Sequence, residues 1–204
     1  LQDFAALIQK HAKQGHCVVK GKLQRSLVKE SRKGSTNSDE KTDWVCLDLD
    51  GVEGYQNVDL FLEAIGCGDT EYILQWSSSM GIENKAGFRC HIFMQLDRPA
   101  HPQLLKYWLQ DINLNVLDTQ LELTKTGNSL RWPLDITTCQ NDKMLYIAPP
   151  SLGPGIKDPF PGNKRISYIK KKRQFLTLPY PVPTRDALRE RIDKKVQEDR
   201  KSVV

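Results

Sequence analysis

Residues 44–51 read Trp44-Val45-Cys46-Leu47-Asp48-Leu49-Asp50-Gly51, an apolar run that carries two acids two positions apart. Side chains alternate between the faces of a β-strand, so Asp48 and Asp50 are expected to share one face. Two neighbouring carboxylates repel each other and resist desolvation, and a divalent cation relieves both costs. The run therefore predicts a buried strand with a candidate metal site, ended by a turn at Gly51. A solvated pair of acids at a strand end is the simpler interpretation of a short D-x-D-G motif.

The composition sets the class of protein. The 204 residues suit one large domain, or one domain with an appendage, and a hydrophobic content of 39% is enough for a packed core. No stretch is long and apolar enough to span a membrane, and there is no signal-peptide pattern. Because the chain begins with Leu1, we expect a fragment of a longer protein. The five cysteines form no C-x-x-C pair, which favours buried thiols in a reducing compartment over disulfides or a zinc site.

Helix and strand signals are interspersed without strict βαβ alternation, which predicts an α/β or α+β fold with a mixed central sheet and flanking helices. Helices are predicted at 1–14, 57–65, 102–117 (with a break near Asn113) and 185–200. Strands are predicted at 16–19, 44–51, 72–76, 88–96, 130–136, 144–148 and within 166–178. We expect one domain over residues 1–178. Residues 179–204 are expected to form a linker and a charged helix that leads to a region outside this chain.

A second set of polar residues suits a phosphate group. His91 lies in the middle of a predicted strand, downstream of a serine cluster and of a loop with glycine and lysine. Hydroxyls, cations and an imidazole that converge on one place can bind phosphate. The candidates for this site are Ser77, Ser79, Lys85, Arg89 and His91. A plain serine turn and a histidine satisfied within the core are the simpler alternatives.

A third acid lies in the run Leu130-Arg131-Trp132-Pro133-Leu134-Asp135-Ile136, which we interpret as an apolar strand. Metal-assisted chemistry favours a further carboxylate from a separate strand, and Asp135 is the preferred candidate. Asp118 and Glu122 lie in similar surroundings and are its rivals. An ordinary acid at a strand end is again the simpler interpretation.

The net charge of +5 is modest, but the basic residues cluster in two runs, 20–33 and 164–173. Such runs suit a polyanionic partner such as nucleic acid. Solvated protein surface or a disordered linker is an equally good interpretation of each run taken alone.

The order of these motifs resembles the archaeo-eukaryotic primase superfamily, and in particular phage and plasmid primase-polymerases. The signature of that family is two acids separated by one residue, a small-x-His element, and a final hydrophobic-acid element. Segments 77–81, 87–91, 96–99, 146–150 and 158–159 are also similar, so the likeness covers roughly residues 15 to 170. Two departures are visible. Arg89 stands where the family usually has a small residue, and the insertion between the serines and His91 is longer.

The resemblance implies a primase-polymerase-like catalytic core with a C-terminal helical extension. It implies a DNA primase or polymerase that transfers nucleotides from nucleoside triphosphates onto a primer or an initiating nucleotide. Asp48, Asp50 and Asp135 would be catalytic and would bind Mg²⁺ or Mn²⁺. The nucleotide would be bound by His91, with support from Ser77, Ser79, Lys85 and Arg89.

The resemblance also implies the partners and the setting. A single-stranded DNA template and nucleoside triphosphates are the expected partners, with no membrane partner. The chain has no Walker A motif, and proteins of this kind often continue into a helicase, so a helicase domain is expected elsewhere in the full-length protein. The expected location is the cytoplasm of a bacterial host cell.

Two other functional classes stay open on the sequence. A metal-dependent nuclease or nicking replication initiator would use a tyrosine nucleophile, for which Tyr107 or Tyr146 could serve. Such an initiator holds its metal with two histidines flanking one residue, whereas this chain has His91-Ile92-Phe93. The other class is a non-catalytic nucleic-acid-binding module whose acids are structural.

Overall fold

A computed structural model describes residues 1–82, 86–162 and 164–202. The helices are α1 (Gln2–Ala12), α2 (Val58–Ala64), α3 (Pro102–Val116) and α4 (Arg185–Ser202). The strands are β1 (Cys17–Val19), β2 (Thr42–Val52), β3 (Tyr72–Trp76), β4 (Phe88–Ala100), β5 (Glu122–Leu123), β6 (Leu130–Arg131), β7 (Met144–Tyr146) and β8 (Ile166–Ile169). Two short 3₁₀ helices cover Asp118–Gln120 and Ile136–Cys139. The expectation of an α/β or α+β chain with flanking helices is confirmed.

The main sheet has four strands in the order β2-β4-β3-β8. The prediction of a mixed sheet is wrong, because all three pairings between these strands are antiparallel. Two smaller antiparallel pairs, β1-β7 and β5-β6, accompany it. The long strands β2 and β4 provide most of the pairing. They run side by side from Thr42, opposite Ala100, to Val52, opposite Phe88.

The two faces of the main sheet pack against different layers. Leu47 and Leu49 of β2 lie in the larger core, together with residues of α2 and α3. Cys46 lies in a second core, with residues of α1 and with Leu145 of β7. Alternation along β2 therefore puts Asp48 and Asp50 on the same face as Cys46 and α1.

The segment that follows β6 departs from the prediction of a strand over 130–136. β6 ends at Arg131, and the side chain of Asp135 caps the 3₁₀ helix Ile136–Cys139 by accepting from the Thr137 amide. Pro133 has no N–H to donate to a strand ladder, which explains the interruption. The segment still lies along the free edge of β2, because an isolated bridge joins Leu134 to Leu49.

The prediction that Gly51 ends β2 is also wrong. The strand continues to Val52, and its register with β4 shifts between Asp50 and Val52. Gly51 adopts a φ of +82°, which glycine reaches without steric cost. The residue therefore sits at a β-bulge, a feature that bends a strand and redirects its side chains.

Helix α3 is continuous through Asn113, where a break was expected. The Asn113 side chain is buried, and its Nδ2 donates to the carbonyls of Leu109 and Leu134. Its Oδ1 accepts from the Leu134 amide at 3.2 Å. One amide side chain thus ties α3 to the segment that borders β2.

The charged helix α4 packs against the rest of the chain. Leu188 and Val196 are buried. Arg191 donates to Asp111 at 2.8 Å and to Asn115 at 2.6 Å, both on α3. Within the described ranges, no helix is both long and apolar enough to cross a membrane. All five cysteines are free thiols, and four of them are buried.

Lys20, the first residue of the basic run 20–33, does not contact solvent as a polyanion-binding residue would. It is only 2% exposed, and its ammonium group lies 4.1 Å from the centre of the Trp44 ring. Its Nζ donates to Thr42 Oγ1 at 2.6 Å and to the Trp44 carbonyl. Burial lowers the pKa of Lys20 from 10.5 to about 8.

This buried lysine predicts a specific pH dependence of stability. Between pH 8 and pH 10.5 the unfolded chain binds more protons than the native protein at Lys20, so the free energy of unfolding rises with pH. The full effect is about 3 kcal/mol. We expect the wild type to gain about 2 kcal/mol relative to Lys20→Met between pH 8 and pH 10, measured by urea unfolding of both proteins. Parallel pH profiles of the two proteins would contradict this.

Candidate active site

The pairing of β2 with β4 brings four of the predicted site residues together. Asp48 is directly opposite His91, and Asp50 is directly opposite Arg89. Side chains at opposite positions of an antiparallel pair lie on the same face of the sheet. His91 Nε2 is 3.4 Å from Asp48 Oδ1, and Arg89 Nε is 3.4 Å from Asp50 Oδ1. Two acids, an imidazole and a guanidinium therefore form one continuous patch.

Gln75 of β3, which was not among the residues predicted from the sequence, fixes the orientation of the imidazole. Gln75 is buried and lies directly opposite His91. Its Nε2 donates to the Trp76 carbonyl at 2.9 Å, so its Oε1 faces His91 Nδ1 at 2.5 Å. Because a carbonyl oxygen only accepts, Nδ1 is the donor to Gln75, and Nε2 faces Asp48. A polar residue inside the apolar strand 72–76 was the available signal.

Arg131 is a second cation at the site that was not singled out from the sequence. Its Nη2 lies 3.4 Å from Asp50 Oδ2, and its Nη1 lies 3.7 Å from Glu122 Oε2. A cleft of about 300 Å³ opens here, and its charged lining consists of two arginines, Arg89 and Arg131, and three acids, Asp50, Glu53 and Glu122. Arg131 lies in the run 130–136, in which only Asp135 was predicted to belong to the site. Two guanidinium groups on one cleft can bind a phosphate chain.

Asp135 lies close to Asp48 along the backbone, but its side chain is engaged elsewhere. The Asp135 amide donates to the Asp48 carbonyl at 2.9 Å. Its carboxylate accepts from the amide and the hydroxyl of Thr137, and from Lys143 Nζ at 2.7 Å. Burial alone would raise the pKa of Asp135, but the hydrogen bonds from Lys143 and Thr137 outweigh it and hold the pKa below its usual value.

The two rivals of Asp135 are placed differently. Glu122, on β5, shares Arg131 with Asp50. Asp118 begins the 3₁₀ helix Asp118–Gln120, which precedes β5. The sequence offered no indication that Lys143, eight residues after Asp135, would be the partner of that acid.

The serine turn lies next to Arg89. The Ser77 amide donates to the Arg89 carbonyl at 2.9 Å, and the hydroxyls of Ser77 and Ser79 are 3.3 Å apart. The predicted phosphate ligands Ser77, Ser79 and Arg89 are therefore neighbours. Lys85 lies outside the described residues.

The acidic side chains at the site can be compared with the number of ligands that a metal ion takes from a protein. In residues 1–82, 86–162 and 164–202, no group of three or more His, Cys, Asp or Glu side chains is arranged to hold a metal. Mg²⁺ commonly needs only one or two protein carboxylates, because waters and substrate phosphates complete its octahedron. Asp48 and Asp50 share a face, and their side chains are 26% and 59% exposed. This pair fits such a partly solvated ion.

The second basic run extends away from the site. Ile166 of β8 is opposite Gln75, while Ile169 is opposite Tyr72 at the other end of β3. At about 3.3 Å per residue, Lys170 lies roughly 13 Å along the chain from Ile166. Lys171 pairs with Asp59 at 2.8 Å, and Lys172 lies 3.8 Å from Asp69. Part of this positive charge is therefore neutralised by the protein itself.

Comparisons with known proteins add nothing to this picture, because no protein-family model, no curated protein and no solved structure matches the chain.

Proposed function

We propose that the protein is a metal-dependent nucleotidyltransferase that works on a DNA template, as a primase-polymerase does. The observation that carries the proposal is the patch on β2 and β4, where Asp48 and Asp50 meet His91 and Arg89 across the strand pair. Carboxylates that can hold a metal, next to cations that can hold phosphate, are what transfer from a nucleoside triphosphate requires.

Asp48 and Asp50 are the residues that would hold Mg²⁺ or Mn²⁺. Their shared face and their solvent exposure support this assignment. When bound, the metal would activate the attacking hydroxyl and balance the negative charge that develops on the phosphates.

Arg89 and Arg131 would bind the triphosphate. Both guanidinium groups contact Asp50, at 3.4 Å in each case. Contacts of this length are looser than a charge-assisted hydrogen bond of about 2.8 Å, so these donors can turn to a stronger acceptor. The cleft of about 300 Å³ beside them gives the phosphates room.

His91 would orient the phosphates by donating to them from Nε2–H, which requires the doubly protonated ring because Nδ1–H already donates to Gln75. In the reaction, the 3′-hydroxyl oxygen forms a bond to the α-phosphorus of the nucleotide. The bond from that phosphorus to the bridging oxygen breaks, pyrophosphate leaves, and the hydroxyl proton passes to water. The protein contributes position and charge rather than a covalent intermediate.

Asp135 is proposed as the third carboxylate because its amide is bonded to the Asp48 carbonyl. In the structure Lys143 neutralises the Asp135 carboxylate, so this carboxylate would have to exchange Lys143 for the metal ion in order to bind it. The Asp135 amide holds the edge of β2 in either case. Glu122 remains the alternative, since it shares Arg131 with Asp50. For the template, the exposed part of the first basic run, residues 22–33, is the proposed contact surface.

The decisive experiment is nucleotide incorporation by the purified protein. Primed and unprimed single-stranded templates are incubated with labelled nucleotides of either sugar type and Mn²⁺. We expect incorporation that EDTA abolishes and that fresh Mn²⁺ restores. Strand cleavage with a covalent tyrosyl adduct would instead indicate a nicking enzyme. DNA binding without any metal-dependent incorporation would contradict the proposal.

A further inference from the structure

A strap formed by residues 158–162 packs on the serine turn, residues 77–81. Pro159 lies so close to Gly81 that a Cβ built on the glycine would be 2.8 Å from Pro159 Cγ. The Phe160 ring stacks on the Trp76 ring, with centroids 5.5 Å apart and planes within 20°. The turn that carries the proposed phosphate ligands Ser77 and Ser79 is therefore supported from outside by this strap.

Arg165 joins the strap to the turn. It is 5% exposed, and its Nε and Nη2 donate to the two oxygens of Asp158 at 2.9 and 2.7 Å. Its Nη1 donates to the Ser77 carbonyl at 2.6 Å. The guanidinium carbon also lies 5.0 Å from the centre of the Phe160 ring. One side chain thus contacts the strap, its aromatic anchor and the first residue of the turn.

The bond to the Ser77 carbonyl has a direct structural effect. That carbonyl also accepts the turn-closing bond from the Met80 amide at 3.1 Å, while the Ser77 amide donates to the Arg89 carbonyl. Ser77 is consequently held on one side by the strand that carries Arg89 and on the other side by Arg165. With both its polar groups occupied, the Ser77 backbone has little freedom to move.

The pairing with Asp158 also determines the charge near the turn. A buried guanidinium needs a compensating acid, which Asp158 supplies in bidentate geometry. Hydrogen bonds from Arg165 and from the Phe160 amide hold the pKa of Asp158 below its usual value. Asp158 and Arg165 therefore both stay charged, and their charges cancel. The Asp158 carboxylate is therefore matched by a positive charge beside a turn proposed to bind an anion.

We propose that Arg165 is a positioning residue for triphosphate binding, acting through Ser77 and the turn 77–81. This inference rests on the proposed function, because it assumes that the turn receives the phosphates of a nucleotide. It goes further in assigning control of that turn to a side chain outside the cleft. Loss of Arg165 should weaken nucleotide affinity without removing any group that touches the reacting atoms.

The test compares Arg165→Gln and Asp158→Asn with the wild type. The affinity for ATP and for dATP is measured by calorimetry in the presence of Mn²⁺, and KM and kcat are measured separately. We expect Arg165→Gln to weaken binding by about tenfold, with a matching rise in KM and a smaller change in kcat. Asp158→Asn should show the same pattern to a lesser degree. Arg165→Lys should not restore affinity, because an ammonium cannot make the same fork of bonds.

Arg191→Gln is the matched control. Arg191 also donates to an acid and to a second oxygen, on Asp111 and Asn115, but it joins α4 to α3. Its loss should leave nucleotide affinity unchanged. If Arg165→Gln fails to fold by circular dichroism, Asp158→Asn decides the matter. Affinities within twofold of the wild type in folded variants would overturn the inference, whereas a wild type that binds no triphosphate would overturn the proposed function itself.

Discussion

Asp48→Asn is expected to reduce nucleotide incorporation roughly a thousandfold, the size of effect seen when a group that stabilises transition-state charge is lost. Asparagine keeps the shape of aspartate but carries no negative charge, so it is a poor ligand for Mg²⁺. Asp48 is flanked on β2 by Leu47 and Leu49, whose burial does not depend on the carboxylate. The fold should therefore persist while activity is lost.

The matched control for this substitution is Asp43→Asn. Asp43 is an exposed acid on the same strand, and it lies at an odd position, so it points to the other face. We expect Asp43→Asn to retain full activity. Binding of Mn²⁺, followed by electron paramagnetic resonance, should weaken in Asp48→Asn and not in Asp43→Asn. Activity of Asp48→Asn within tenfold of the wild type would argue against a metal role for this acid.

Gly87→Ala is expected to destabilise the protein by about 3 kcal/mol. Gly87 adopts a φ of +79°, and a Cβ added there would lie 2.5 Å from the carbonyl carbon and oxygen of Gly51. It would also lie 2.8 Å from the Val52 carbonyl oxygen. These are backbone atoms of the β2 bulge and cannot rotate away. The bulge would have to move, and with it the neighbouring Asp50 and Arg89.

Gly54→Ala separates the clash from the conformational cost. Gly54 has a similar φ of +83°, but an added Cβ would meet nothing within 4 Å. Its substitution should cost only about 1 kcal/mol, the penalty of a left-handed conformation for a residue with a Cβ. Urea unfolding of both variants measures the difference. Equal losses would mean that the bulge accommodates the extra methyl group.

The sequence predicted those features that depend on local periodicity. Alternation along one strand was enough to place Asp48 and Asp50 on one face, and the placement of His91 in a strand followed in the same way. That His91 would lie opposite Asp48 depends on the register between β2 and β4, which distant residues determine. Gln75 and Arg131 could not be assigned to the site without that register.

Other features depended on tertiary contacts that leave no mark in a sequence window. The apolar neighbours of Asp135 predicted that this acid lies in a strand. In the structure Pro133 interrupts the strand ladder, and the Asp135 carboxylate accepts a hydrogen bond from Lys143. Lys20 looked like the start of a solvated basic run. Its burial comes from Thr42 and Trp44, more than 20 positions away in the chain.

The Asn113 amide limits how this protein can vary. It bonds both the N–H and the C=O of Leu134. A side chain at position 113 must therefore carry a donor and an acceptor, both at the distance that the asparagine amide spans. Aspartate lacks the donor, leucine lacks both, and serine is too short to span the gap. The segment beside Asp48 and Asp50 therefore tolerates mutation only as far as Asn113 allows, and Asn113 lies on a helix that packs against the opposite face of the sheet.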